Sequence, residues 1–247
     1  MKTEWNRRAK ENAFHYISTF RESWDEESFY HFGELQTSKI LDAFLSERDL
    51  NPSEMVVLEI GCGAGRMTRA LSRRFRLVLA YDVSDEMVRL SRAKNGHLKN
   101  VTFRVNDGVA FPEVRDESVG FVFCGWTMIH MPTKRVVRSN VKETARVLTK
   151  GGWYLVNPQI VGRATKWVRP LKTVATRILA PLRMIDPLTA TNTFRGVYLR
   201  EKEAQMLFED CGLTMNMILI DDRVNSSDEL RPSRWLCGQK LGMENPT

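Results

Sequence analysis

The 247-residue sequence predicts an α/β fold, a doubly wound, seven-stranded and mostly parallel sheet with helices on both faces. Three observations predict it. Short β-rich runs at 55–60, 77–81, 101–105, 119–124 and 153–157 alternate with helix-length segments. The first run ends in a glycine-rich turn, Gly61-Cys62-Gly63-Ala64-Gly65, and the second ends in Asp82. After the alternation the chain finishes on a helix at 200–211 and two further β-rich runs, 213–220 and 233–239.

Residues 1–50 read as helical and form a separate cap. Eight of the chain's 23 aromatic residues fall within the first 32 positions, too many for a solvated leader. A helix at 36–46 carries Ile40, Leu41, Phe44 and Leu45 at helical spacing, and Asn51-Pro52-Ser53 punctuates the chain before the first strand. The main domain, 51–247, then begins. Its first helix follows the glycines and runs to about residue 74. Ser84 is placed as the N-cap of a helix at 85–94, with Asp85 and Glu86 favouring the positive end of its dipole. Strand three ends in Asn106-Asp107-Gly108. A helix at 133–148 and the Gly151-Gly152 break precede the fifth strand. Residues 158–197 depart from the alternation and read as an insertion. Gly212 closes the helix at 200–211.

The glycine turn has a chemical reading. A chain that turns sharply from strand to helix while its backbone approaches a ligand has no room for a Cβ, and Asp82 stands where a carboxylate accepts from two ribose hydroxyls. The dinucleotide fingerprint wants glycine or alanine three residues after its second glycine, and this chain has Arg66 there. The pattern therefore favours a mononucleoside ligand.

At this point the chain resembles the class I S-adenosylmethionine (SAM)-dependent methyltransferases, whose first motif is similar to Leu58-Glu59-Ile60-Gly61-Cys62-Gly63-Ala64-Gly65. The resemblance covers about 55–240. It implies a Rossmann-like methyltransferase fold with an antiparallel last strand. The implied cofactor is SAM, released as S-adenosylhomocysteine. By position, Glu59, Gly61, Cys62, Gly63 and Gly65 would hold it, with Arg66 against its carboxylate and Asp82 on its ribose. Val83 and Met87 would flank the nucleoside, and Asn106, Asp107 and Gly108 would hold the adenine, although an Asn-Asp-Gly triplet is also an ordinary turn. Cys124, Gly125 and Trp126 would surround the reacting methyl group, the Trp126 ring offering its face to a cation.

His130 matches a histidine that many relatives carry near the end of this segment. A free imidazole titrates near pH 6.5, which suits a general base, while the alternative reading is a histidine that packs and supports the loop. The leader is similar to that of a bacterial group of these enzymes, in Trp5-Asn6-Arg7-Arg8-Ala9 and Phe29-Tyr30-His31-Phe32-Gly33. There it folds over the cofactor, which makes Trp5 and Tyr16 candidate contacts and Tyr30 and His31 alternative bases. An aromatic stripe sealing the helices onto the sheet is the competing reading.

Bulk composition narrows the class. The chain is 43% apolar, yet no apolar run approaches the ~20 residues of a membrane span. The first residues lack an apolar signal core, and the four cysteines sit far apart with no C-x-x-C pair, so a cytoplasmic protein with reduced thiols is expected. No metal-ligand cluster is visible. The net charge of +7 is local: residues 144–185 carry eight Lys or Arg and no acid, and the remainder is close to neutral. This argues against reading the whole chain as a nucleic-acid binder. Within the insertion, 163–183 reads as a basic amphipathic helix. It is expected to be a lid, with contact to an anionic membrane or substrate as the alternative.

The expected activity is methyl transfer to oxygen or nitrogen of a small molecule such as a sugar, glycan precursor or secondary metabolite. Two alternatives stand beside it: a lipid-linked or RNA acceptor gripped by the basic insertion, and a SAM-binding scaffold without catalysis.

Overall fold

Five strands hold the centre: β1 (Val56–Ile60), β2 (Leu77–Asp82), β3 (Val101–Val105), β4 (Val119–Cys124) and β5 (Leu148–Val156). β1 and β4 are apolar almost throughout because helices cover both faces of the sheet. The computed structural model describes residues 1–19, 23–161, 196–221 and 233–242. Two short strands, β6 (Ile160–Val161) and β7 (Leu199–Arg200), pair in parallel at the two ends of the insertion. β8 (Asn216–Ile220) and β9 (Ser233–Gln239) complete the main sheet.

The seven-stranded order is β3-β2-β1-β4-β5-β9-β8. β1 to β5 are parallel, and β9 runs antiparallel to both β5 and β8. The chain winds outward from β1 to β3 and then returns to β4 on the other side of β1. That reversal opens a crevice at the carboxyl ends of β1 and β4, where ligands bind in sheets of this kind.

Helices α2 (Glu26–Leu45), α3 (Thr68–Arg74) and α4 (Asp85–Asn95) cover one face, where Ile40, Phe44, Leu71 and Val88 meet Val57, Val78 and Phe121. On the other face α5 (Lys134–Val147) and α6 (Glu201–Glu209) bury Val137, Val141 and Phe208 against Leu58, Val122 and Tyr154. Helix α1 (Lys2–Ile17) bends at Asn12, whose φ of −165° and ψ of 85° are not helical. The Asn12 side chain accepts from the amide of His15 and recaps the second piece.

Three boundaries differ from the sequence expectation. α2 starts at Glu26, ten residues ahead of the expected helix, because Asp25 accepts from the Ser28 amide at 2.8 Å as its N-cap. The first helix of the domain starts at Thr68, since 61–67 remain a loop around the glycines. β5 starts at Leu148: the ladder with β4 carries an irregularity between Val119 and Phe121, and Gly151 absorbs it with a φ of +72°. The basic segment 163–183 lies outside the described residues. No helix among the described residues is long and apolar enough to cross a membrane.

Candidate active site

The glycine turn is built against its neighbours. Gly61 N and Cys62 N donate to the Tyr81 carbonyl at 2.7 and 2.9 Å, tying the loop to the end of β2. Gly61, Gly63 and Gly65 all have positive φ, a region glycine enters freely. A Cβ on Gly61 would lie 2.1 Å from Thr127 Oγ1, so the loop after β4 closes directly over the turn. Asp82 ends β2. Its carboxylate accepts from Gly63 N at 2.9 Å and Ser84 N at 2.8 Å, which fixes both oxygens at the mouth of the turn. Loss of solvent pushes the Asp82 carboxyl above its ordinary value, and the amides of Ser84 and Gly63 pull it back.

A cavity opens here at the carboxyl ends of β1, β2 and β4. β1 supplies Glu59, the turn after it supplies Gly61, Cys62, Gly63 and Arg66, and Asp82, Val83 and Met87 follow from β2 and α4. Asn106 and Gly108 come from the end of β3; Gly125, Trp126 and His130 come from the end of β4; Trp5 comes from α1. Sequence reasoning named all of these. It missed Met1, Ile17, Met67, Thr127, Met131 and Asn140, which complete much of the wall. Asn140 had a signal, as a polar residue on the apolar face that α5 forms with Val137 and Val141. Thr127 had none, because its role is set by its contact with Gly61 at the end of the neighbouring strand β1.

Electrostatics divide the cavity. Glu59 is 2% exposed, and burial pushes its carboxyl up to about 7, with Asp82 adding to the rise and the Thr68 hydroxyl opposing it. Thr68 Oγ1 donates to Glu59 Oε2 at 2.6 Å. Arg66 is buried and already engaged: it donates to Gln36 Oε1 at 2.9 Å and lies over the rings of Phe32 and Trp126. Trp126 has a φ of +54°, a strained position for a bulky side chain, held by edge contact with Trp235. The His130 ring meets the Trp5 ring with centroids 5.3 Å apart. α1 reaches this wall because Asn6 accepts from Ser84 Oγ at 2.6 Å and Lys2 pairs with Asp85 at 2.8 Å.

Six named residues lie outside the cavity lining, each for a visible reason. Gly65 makes room for Asn95, whose side chain would meet its Cβ at 2.5 Å. Tyr30 is fully buried and donates to the Ala64 carbonyl at 2.9 Å, and burial pushes its hydroxyl up to about 12. It supports the turn from behind. His31 is exposed on α2. Tyr16 donates to Glu11 at 2.9 Å and stacks on Arg8. Asp107 is exposed and folds back on the amides of Val109 and Ala110 as an Asx turn. Cys124 is sealed in the core at the end of β4.

Residues 57–152 match the methyltransferase domain family. Over that stretch the chain is similar to methyltransferase domains, and its fold is that of solved SAM-dependent methyltransferases. Among curated proteins, phosphoethanolamine N-methyltransferase 1 of Caenorhabditis elegans is 32% identical over 104 residues, 42% of this chain and 21% of that one. The match to such relatives spans about a fifth of their length. A demethylmenaquinone methyltransferase of Tropheryma whipplei is 25% identical over 165 residues, 63% of this chain and 65% of the other. The fold also matches the magnesium protoporphyrin IX methyltransferase of Synechocystis, solved with S-adenosylhomocysteine, at a TM-score of 0.62 and 18% identity, covering 97% of this chain and all of that one. SAM is the cofactor of the class I methyltransferases. The residues here fit such a group: the turn offers a glycine cradle and Asp82 offers an acceptor carboxylate.

Proposed function

We propose that the protein moves a methyl group from SAM to an oxygen or nitrogen of a small-molecule acceptor. The observation that carries this reading is one cavity holding the Asp82 carboxylate and glycine turn together with Trp126 and His130. SAM, when bound, supplies a methyl group already activated on a sulfonium. The protein's task is therefore to orient and to exclude water.

Asp82 would accept from the ribose hydroxyls, with its own orientation held by Gly63 N and Ser84 N. The cavity wall after β4 would receive the acceptor, with Trp126 presenting an aromatic face. The cap 1–50 acts as a lid in this reading, since α1 brings Met1, Trp5 and Ile17 into the lining. Relatives whose names specify phosphoethanolamine, demethylmenaquinone and magnesium protoporphyrin support a small-molecule acceptor.

His130 is the base of this proposal. It lines the cavity beside Trp5, whereas Tyr30 and His31 do not line it. A hydroxyl acceptor needs its proton removed, and a positioned base contributes about 10²–10⁴-fold. Transfer of labelled methyl from SAM to pooled small metabolites is the direct test, and absence of any transfer favours the scaffold reading. With the acceptor found, His130→Ala should lower kcat by roughly 100-fold or more while S-adenosylhomocysteine affinity stays unchanged. Turnover near that of the unsubstituted enzyme would remove His130 from this role.

A second reading rests on the eight cations and no acids of residues 144–185. It gives the enzyme a lipid-linked or RNA acceptor. Salt-sensitive binding to anionic vesicles or RNA would favour it over the small-molecule reading.

A further inference from the structure

Beyond the glycine turn the cavity wall is built from rings and thioethers. Trp5 and Ile17 reach it from α1, Met67 from the N-cap of α3, and Trp126, His130 and Met131 from the end of β4. Met67 fits beside Gly125 because that residue has no Cβ, which would meet the Met67 Sδ at 2.8 Å. Both indoles are braced. Arg8 is 3% exposed, donates from Nε to Glu4 at 2.9 Å and lies over the Trp5 ring at 5.1 Å. Arg66 lies over Trp126 at 6.0 Å, and Trp235 meets that ring at 87° with centroids 5.3 Å apart. Trp5 in turn meets the His130 ring at 75°. The base of the proposed function thus stands among aromatic and apolar groups.

This wall selects among small acceptors. Braced indoles with adaptable methionines suit a flat apolar body. A sugar ring brings several hydroxyls, each of which needs a partner once it leaves water. In the described part of this wall the Thr127 hydroxyl is already committed to the Gly61 carbonyl at 3.1 Å. Acidity points the same way. A phenolic hydroxyl ionises at about 10, as in tyrosine, which is within reach of an imidazole at about 6.5. A saturated hydroxyl lies toward water, at about 15.7, and is poorly matched to such a base.

We propose that the acceptor is a phenol, a flat apolar ring held by Trp5 and Trp126 with its hydroxyl at His130. The assignment rests on the reading of this cavity as a site of methyl transfer from SAM. The hydroxyl proton passes to the imidazole, and the oxygen pair forms a bond to the methyl carbon. The carbon–sulfur bond breaks with its electron pair kept by sulfur. The products are an aryl methyl ether, S-adenosylhomocysteine and an imidazolium that returns its proton to water.

Methyl-labelled SAM is offered with phenol, naphthol and phenanthrol, and separately with methyl glucoside and with phosphoethanolamine. At least one of the three phenols should accept label at ten times the rate of either other probe. For that phenol, Trp5→Leu should raise KM by about tenfold and lower kcat less, and Trp5→Phe should restore most of the loss. An unchanged KM in Trp5→Leu removes Trp5 from holding the ring. Calorimetric titration of S-adenosylhomocysteine into the unsubstituted protein separates the two readings. Binding of S-adenosylhomocysteine without transfer to any of the phenols, or with equal transfer to the glucoside or phosphoethanolamine, overturns the phenol assignment alone. Failure to bind it would instead overturn the cofactor site itself.

Discussion

Gly61→Ala is expected to lower the thermal midpoint by roughly 5–15 °C and to abolish measurable binding of S-adenosylhomocysteine. Two costs add at this position. The φ of +79° places any residue with a Cβ in the left-handed region, at about 1–2 kcal/mol. The new methyl group would also stand 2.1 to 2.6 Å from three atoms of Thr127, including its Cβ, so a rotamer change cannot clear it. Overpacking of this kind costs about 1–3 kcal/mol. Thr127 cannot easily retreat, since it donates to the Gly61 carbonyl at 3.1 Å and follows the strained Trp126. The collision pushes apart the glycine turn and the loop after β4, the two walls that define the cavity. Adding Thr127→Gly should recover the steric share but not the dihedral share. A midpoint and affinity unchanged in Gly61→Ala would mean that the turn does not close on Thr127.

Glu59→Gln is expected to stabilise the ligand-free protein by roughly 2–3 kcal/mol at pH 8 and to change it little near pH 4. Burial raises the Glu59 carboxyl from 4.5 to about 7 in the folded chain, so the folded state binds its proton more tightly than the unfolded state does. The resulting stability is fully present below about 4.5 and is lost as the pH rises through about 7. Glutamine removes the charge and keeps an oxygen to accept from Thr68 Oγ1. Asp82 remains in both proteins, so the difference between their urea midpoints isolates Glu59. Parallel pH profiles from 4 to 8 would contradict this assignment.

Much of the framework was readable because it depends on local order along the chain. The five β-rich runs, the Ser84 cap and the Gly61–Gly65 turn each carry their own signal in residue type and spacing. Boundaries set by pairing were less readable: β5 begins at Leu148 through a ladder irregularity that no composition marks. In the site, residues following strand ends were named because strand ends converge in this fold. Those arriving from helices, Met1 and Ile17 at α1 and Asn140 on α5, were not. Asp107 illustrates the limit from the other side. Its position after β3 suggested a ligand, and its own neighbours Val109 and Ala110 engage one carboxylate oxygen, Oδ1. Tyr30 likewise faces the back of the turn, which residue type alone does not reveal.

Isothermal titration of S-adenosylhomocysteine into Asp82→Ala tests the central assignment most directly, with the fold verified by its melting curve. Asp82 is held by Gly63 N and Ser84 N at the mouth of the glycine turn. Two hydrogen bonds from a ribose to a carboxylate contribute about 1.5–3 kcal/mol each. The expected result is affinity weakened about 100-fold or more in a protein that still folds. Unchanged affinity in the folded variant would contradict the account, and the nucleoside would have to be sought away from the end of β2.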